Sequence, residues 1–329
     1  MFYRLRKIYR PEIFQGGLQK RNYFEGWYFK IIDRNAAKIY AVIPGVSISG
    51  IKSNSHSFIQ VMDGTNATSQ YFRFDFKDFN YSGRQFNASI GNNFFSADKM
   101  HLDISQGGQK IKADLKFHNT HPWPKSPFAP GAMGWYAFVP FMECYHGVVS
   151  MSHNIKGSAD FGRGYTDFTG GKGYIEKDWG KSFPAGWIWL QSNHFKNAGT
   201  SLMLSVARIP WLKKTFTGFI CGLLLNENIH IFATYNGSKI KQLDFSANEF
   251  CCIIQRGSSR LKISASRKES AELASPLMGA MDGRINESID AKVEIEYIGG
   301  KKDNKQKTEL YRDSGFAAGL EIVNPEVLK

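Results

Sequence analysis

Cysteine is scarce in this chain, with four among 329 residues, at positions 144, 221, 251 and 252. That is too few, and too irregularly spaced, for a disulfide framework. Adjacent Cys251 and Cys252 point to opposite faces of a strand and so do not bridge each other. No CxxC pair is present to build a zinc site. Long apolar runs are missing too: the longest, Gly218–Leu225, falls far short of the ~20 residues a membrane span needs. Met1–Pro11 is basic and aromatic and has no apolar core of the secretory kind. These absences predict a reduced, cytoplasmic protein without a transmembrane anchor, in which the sequon Asn66-Ala67-Thr68 carries no meaning. Catalytic signatures are missing as well: no GK[ST] phosphate loop, no GxSxG elbow, no HExxH. GRG (162–164) and GGKG (170–173) have no helix signal behind them and read as turns between strands. Of eight histidines, His118–His121 and His146…His153 form the only suggestive pairs, and the first sits in a proline-rich loop. No metal and no cofactor are expected.

What is there favours strands. Apolar residues make up 42% and aromatics 14%, enough to bury a core and to exclude a disordered chain. Thirty-two glycines and 26 phenylalanines accompany short alternating runs such as WYFKII (27–32), YFRFDFKDF (71–79), IKADLKFH (111–118), TSLMLSVARI (200–209) and AKVEIEYI (291–298). No long amphipathic helix interrupts them; Met133–Val149 has room for a helical turn or two. Two echoes suggest duplication. FEGWYFKII (24–32) is matched by PAGWIWLQS (184–192), and IKADL…SPFAPGAMG (111–134) by LKISA…SPLMGAMDG (261–283), each second echo running on into a strand. The expected fold is all-β: two tandem lipocalin-like antiparallel barrels or sandwiches with few short helices, over residues 1–178 and 179–329. A barrel of about eight strands can hold one small ligand inside.

The formal charge of +13 draws the protein toward anionic partners. Apart from Arg4–Arg10 and Lys301–Lys307 the basic residues are scattered, and no nucleic-acid-binding pattern accompanies them. A solvated basic surface or a peripheral contact with an anionic membrane is expected, and no nucleic acid.

Gly173–Phe195 packs Trp179, Trp187 and Trp189 beside Glu176, Lys177 and Asp178, then runs into Gln191, Asn193 and His194. Trp is costly to place because a large ring must be buried while its N–H finds an acceptor, so this crowd reads as a shaped pocket at the junction of the two modules. Glu25 lies in NYFEGWYFK and Glu143 in FVPFMECYHG. A carboxylate among aromatics loses hydration, its pKa rises, and it can hold a proton for delivery. Glu25, Glu143, Glu176 and Asp178 are therefore the candidate acids. The competing reading pairs each with a cation, Lys177 being the partner for Glu176 and Asp178. Trp27 and Trp187, at strand starts, serve as barrel plugs or pocket walls. Trp179 and Trp189 line a cavity whose π-faces stabilise a carbocation.

At these residues the chain resembles the tocopherol cyclase family. Tyr23–Lys30 matches a family pattern FFEGWYFK, FVPFMECYHG (138–147) resembles a glutamate-bearing aromatic stretch, and Gly173–Phe195 matches YSEKNWGxxFPxxWxWxQxNxF, with Asp178 where the family has asparagine. The histidine near Glu143 is displaced to His146. The resemblance implies a prenylated, water-insoluble substrate and acid-catalysed intramolecular addition with no redox cofactor or metal. It further implies that Trp179, Trp189 and Tyr145 shelter a cation, and that Gln191 and Asn193 hold a quinol head, with Trp27, Trp187 and His146 among the ligand contacts. A non-catalytic carrier of an isoprenoid or lipid predicts the same cavity with no product.

Overall fold

The structure is a computed structural model that describes residues 6–17, 20–140, 142–212, 214–267, 269–299 and 310–329. The basic run Lys301–Lys307, and Arg4 at the head of the other, lie outside the described residues. The fold is all-β, with a short helical turn over residues 6–8 and a few 3-10 turns.

The chain divides into two compact units, Met1–Phe183 with Glu272–Ile285, and Pro184–Ala271 with Asn286–Lys329. The first contains β1 (Tyr23–Ile32), β2 (Ile39–Ile48), β3 (His56–Asp63), β4 (Thr68–Asp75), β5 (Phe79–Tyr81) and β6 (Asn87–Ile90). It continues with β7 (Asn93–Ser96), β8 (Lys99–Gln106), β9 (Gln109–His118), β10 (Cys144–Asp160), β11 (Tyr165–Asp167) and β12 (Lys172–Gly180). Hydrogen bonding orders the sheet β4-β3-β2-β1-β12-β10-β9-β8-β7-β6-β5, with β11 paired to β10.

The second unit is built on β13 (Trp187–Ser192), β14 (His194–Phe195), β15 (Ser201–Trp211), β16 (Lys214–Leu225), β17 (Asn228–Ala233) and β18 (Lys239–Phe245). Then come β19 (Glu249–Arg256), β20 (Ser259–Ser266), β22 (Ala280–Ile298), which lies in this unit from Asn286 on, and β23 (Leu310–Val323); β21 (Ala271–Leu277) and the start of β22 fall, over Glu272–Ile285, in the first unit. Its order is β17-β16-β15-β13-β23-β22-β20-β19-β18. The two orders match over nine positions, β1 corresponding to β13, β12 to β23, β10 to β22 and β9 to β20, and the first runs on beyond them into β6 and β5. The duplication expected from the echoes is thus a repeat of topology. The echoed loops differ, however: residues 126–134 form an irregular loop that turns into a 3-10 segment (Gly134–Phe138), whereas 275–283 form the β21–β22 hairpin.

Neither ladder closes on itself among the described residues; each ends in free edge strands. The core of each unit forms by period-2 alternation, as in β9, where Ile111, Ala113, Leu115 and Phe117 are buried and the intervening residues exposed. In the first unit Trp27, Phe29, Ile31, Phe72, Phe79, Phe95 and Ile175 join one cluster. Phe14, from the segment before β1, joins this cluster, its ring packing 4.3 Å from Tyr81 and 5.2 Å from Phe79. Ile188, Leu190, Leu204, Leu223, Ile263 and Leu320 centre the second cluster. GRG (162–164) is a turn, its three amides donating to Asp160 Oδ1. Gly157 has φ +125°, and a Cβ there would stand 2.0 Å from the Asp114 carbonyl oxygen, so only glycine lets β10 lie against β9 at this point.

Candidate functional site

β12 lies between β1 and β10 and carries the densest group of candidate residues. Its alternation sorts them by face. Ile175, Lys177 and Trp179 share the face that carries the first unit's core, whereas Tyr174, Glu176 and Asp178 share the opposite one.

On the core face, Lys177 stands opposite Trp27 and Trp179 opposite Glu25. Glu25 and Lys177 are both fully buried and form an ion pair of 2.5 Å. Lys177 Nζ also donates to the carbonyls of Pro11 (2.9 Å) and Ile13, and lies 4.9 Å from the Trp27 ring centre and 4.8 Å from that of Trp179. Burial pulls its pKa down to about 8, against the pull of Glu25. Glu25 accepts the amides of Gln15 (2.7 Å) and Gly16 (2.9 Å) and the hydroxyl of Tyr23 (2.5 Å). Trp27 Nε1 donates to the Glu12 carbonyl at 2.9 Å. This pair therefore holds the backbone of residues 11–16 in place, and the carboxylate's oxygens are engaged in doing so. Tyr145, opposite Trp179, stacks on it at 5.5 Å with planes 7° apart. Gly147 leaves room for that ring and for Pro11.

The other face is arranged for proton chemistry. His146 stands opposite Asp178 and Val148 opposite Glu176. Asp178 Oδ1 accepts from His146 Nδ1 at 2.9 Å, Glu176 Oε2 lies 3.6 Å from His146 Nε2, and the Tyr174 hydroxyl donates to Glu176 Oε2 at 2.6 Å. Burial of His146 disfavours its charge, but the carboxylates of Asp178 and Glu176 outweigh it and raise the imidazolium pKa to about 9. His146 is therefore a cation at neutral pH, and its buried Nε2 makes no hydrogen bond. Cys144 lies beside Asp178, its Sγ 3.9 Å from Oδ1, and burial pushes its thiol pKa well up. Glu143, just before β10, is half-buried, and burial raises its carboxyl pKa.

The donor atoms of His146, Glu176 and Asp178 lie within 4.8 Å of one another, the one such group among the described residues. His146 spends Nδ1 on Asp178, as a metal-bound histidine often does. That leaves Nε2 and Glu176 to face a common point. The Asp178 carboxylate that would be the third ligand is hydrogen-bonded to His146 Nδ1 at 2.9 Å, so the set as it stands shares a proton.

The remaining candidates sit on the second unit. Trp187, Trp189 and Gln191 alternate with the core residues Ile188 and Leu190 and occupy the opposite face of β13, buried, with Asn193 buried just beyond the strand. Trp187 Nε1 donates to Glu321 Oε2, and Asn193 Oδ1 contacts His194 Nδ1 at 2.9 Å. Sequence reasoning brought Glu176, Asp178 and His146 into the candidate set but overlooked Tyr174, and it offered Lys177 as partner to the wrong carboxylates. Strict alternation along 174–178 was the signal: it sends Lys177 to Glu25 and aligns Tyr174 with Glu176 and Asp178.

The family described as Tocopherol cyclase-like has a model that matches residues 84–322, a stretch containing β10 and β12. Maize chloroplastic tocopherol cyclase is 32% identical over 74 residues, which is 22% of this chain and 16% of the maize protein; the chain therefore aligns with only a small part of that relative. Among solved structures, CghA with Sch210972 matches with a TM-score of 0.56 at 9% identity, over 92% of this chain and 88% of CghA. Kievitone hydratase from Nectria haematococca matches with a TM-score of 0.50 at 11% identity, over 92% and 89%. At these identities the likeness is one of fold.

Proposed function

The chain belongs to the tocopherol cyclase-like family, and on that footing we propose that it is an enzyme closing a ring on a prenylated phenol by acid-assisted intramolecular addition. The observation that carries this reading is His146, kept protonated between Asp178 and Glu176 with an Nε2 proton engaged in no hydrogen bond. In the proposed step Nε2 delivers its proton to the less substituted carbon of a trisubstituted alkene while the phenolic oxygen bonds to the tertiary carbon. The phenol's proton passes to Glu176, which returns it to His146 across 3.6 Å. One C–H and one C–O bond form, one O–H bond and the alkene π bond are lost, and mass is unchanged.

An imidazolium with a pKa near 9 is a modest acid, so the chemistry favours a concerted addition over a free carbocation. A positioned general acid contributes roughly 10²–10⁴ in rate. Asp178 fixes the ring, and Tyr174 orients Glu176 through its hydroxyl. The names of the maize cyclase and the fungal hydratase support addition to an alkene as the reaction class, since water in place of the phenol gives hydration by the same proton route.

The test is incubation with a prenyl quinol and a search for an isomer of unchanged mass. Wild type is expected to form it and His146→Ala to lose at least a hundredfold. A wild-type protein that binds the quinol tightly and returns it unchanged is a carrier, and the proposal then fails.

A further inference from the structure

One corner of the first unit exposes aromatic rings that a soluble surface has no use for. Ser126 and Ala129 close a tight loop by exchanging backbone hydrogen bonds (2.9 and 3.1 Å), and Phe128 at its tip is 83% exposed. Tyr9 ties this loop to the N-terminal segment, its hydroxyl donating to the Pro127 carbonyl at 2.6 Å. The ring of Tyr9 meets that of Phe138 edge-on at 6.0 Å, and Trp135, stacked on Tyr136 at 4.0 Å, is exposed beside them on the same 3-10 turn. Monomer surfaces seldom gather large rings this way unless they dock on something.

The surroundings are basic. Arg6, Arg84 and Lys125 are exposed, Lys125 Nζ lies on the Tyr9 carbonyl at 3.1 Å, and the Arg10 guanidinium donates to the Arg84 carbonyl. The carboxylate that shares this corner, Glu12, is neutralised by Arg10 (3.0 Å) and Lys125 (3.1 Å). Rings with a polar edge, ringed by cations, match the chemistry of a bilayer interface, where Trp and Tyr sit at headgroup depth and cations meet anionic lipid. A second copy of the chain would bring like charges together across a two-fold axis, which opposes self-association here.

The geometry points to Phe128, Trp135, Phe138 and Tyr9, with Arg6, Arg84 and Lys125, as a docking surface for anionic membrane. The same loop reaches the proton-bearing cluster: Met133 Sδ accepts the His146 amide at 3.2 Å, and the Tyr145 hydroxyl donates to the Val139 carbonyl at 2.8 Å. Docking there brings His146 close to the lipid phase in which a prenylated substrate dissolves. That last link rests on the proposed function; the docking surface does not.

The test is co-sedimentation of the full-length protein with vesicles of phosphatidylglycerol and phosphatidylcholine against phosphatidylcholine alone. Binding to the anionic vesicles is expected, weakening as salt rises. Phe128→Ser, a change at an exposed tip, is expected to lower partitioning severalfold, and Phe128→Ser/Trp135→Ser/Phe138→Ser at least tenfold, with unaltered circular dichroism and melting. Each cation near the surface contributes about 1 kcal/mol, so Arg6→Ser/Arg84→Ser is expected to cost roughly thirtyfold. Equal binding to both vesicle types, no binding, or undiminished binding by the triple variant overturns the proposal. So does a wild-type dimer in sedimentation that the triple variant converts to monomer, since the patch is then a protein interface. Turnover of detergent-dispersed quinol is expected to survive the triple variant, which separates failure of this surface from failure of the chemistry.

Discussion

The charge of His146 is the quantity on which the proposed chemistry turns, and Asp178→Asn perturbs it with the least change of shape. Three influences act on the imidazole: burial lowers its pKa, and the carboxylates of Asp178 and Glu176 raise it, with the Asp178 hydrogen bond adding to the second. The net result is about 9 against an ordinary 6.5. At about 1.4 kcal/mol per pH unit, that gap corresponds to about 3 kcal/mol of preference for the folded imidazolium. Because the folded pKa lies above the unfolded one, this stabilisation is complete below pH 6.5 and is lost as pH climbs through about 9. Replacing the aspartate with asparagine keeps an oxygen within reach of Nδ1 but removes the charge. A single opposite charge at this range shifts a pKa by roughly 1–3 units, and burial then prevails.

Two measurements follow. Heteronuclear NMR is expected to show the wild-type imidazole titrating near pH 9 and the Asp178→Asn imidazole at least one unit lower. Urea unfolding is expected to show the variant less stable by at least about 1.4 kcal/mol at pH 6, with the difference shrinking above pH 9, where both rings are neutral. The basic limb of any pH–rate profile is expected to move down with the NMR value. A wild-type His146 that titrates near 6.5, or a variant that titrates where the wild type does, refutes the account of this site. Neither readout depends on knowing the substrate.

Two further predictions concern groups buried away from that face. Lys177→Met leaves Glu25 buried without its cation and frees two backbone carbonyls, and breaking a buried pair costs about 3–5 kcal/mol. Urea unfolding of the variant with a loss under 1 kcal/mol would mean that the pair does not hold residues 11–16. His153 is buried against Phe117, and burial, aided by His118, lowers its pKa to about 3. Since the folded pKa lies below the unfolded 6.5, the associated stability is present above pH 6.5 and drains as pH falls toward 3. Going from pH 7 to pH 5, wild type is expected to lose about 2 kcal/mol more than His153→Leu; equal losses in chemical unfolding refute this.

Much of the fold was legible because strands write themselves in period 2. In β9 every second residue from Ile111 to Phe117 is buried, as the sequence spacing implies. β1 and β2 are harder, since both their faces are covered and the alternation disappears into near-continuous burial. The repeat was visible in the Gly-Trp pairs at β1 and β13, because both strands hold the fourth place in matching sheet orders. What the echoes could not convey is that SPFAPGAMG and SPLMGAMDG fold differently. A loop's conformation depends on what it packs against: Ser47 Oγ donates to Gly279 O at 2.7 Å, and Gln60 exchanges two hydrogen bonds with Ala274, so the β21–β22 hairpin is held by partners remote in sequence. Closure was likewise not written in the strands, because whether an edge pairs depends on curvature that no single strand encodes.

The site was half legible for the same reason. A carboxylate among aromatics reads as a carboxylate deprived of water, and Glu25, fully buried, fits that description. Yet it lies beside Lys177, two backbone amides and a tyrosine hydroxyl, all but the last supplied by chain at least nine residues away. Composition in a window reports desolvation; it does not report the compensating partners that decide whether a buried acid is free to act. His146 shows the converse. Nothing near it in sequence except Glu143 is acidic, and its two carboxylates arrive from 30 and 32 residues downstream through the β10–β12 register. A register is a property of the pairing, so a group whose charge is set across strands becomes visible only once the strands are aligned. Within β12, however, alternation alone would have separated Lys177 from Glu176 and Asp178. Once that lysine is removed from their side, the two carboxylates need another cation, and His146, directly opposite Asp178, supplies it.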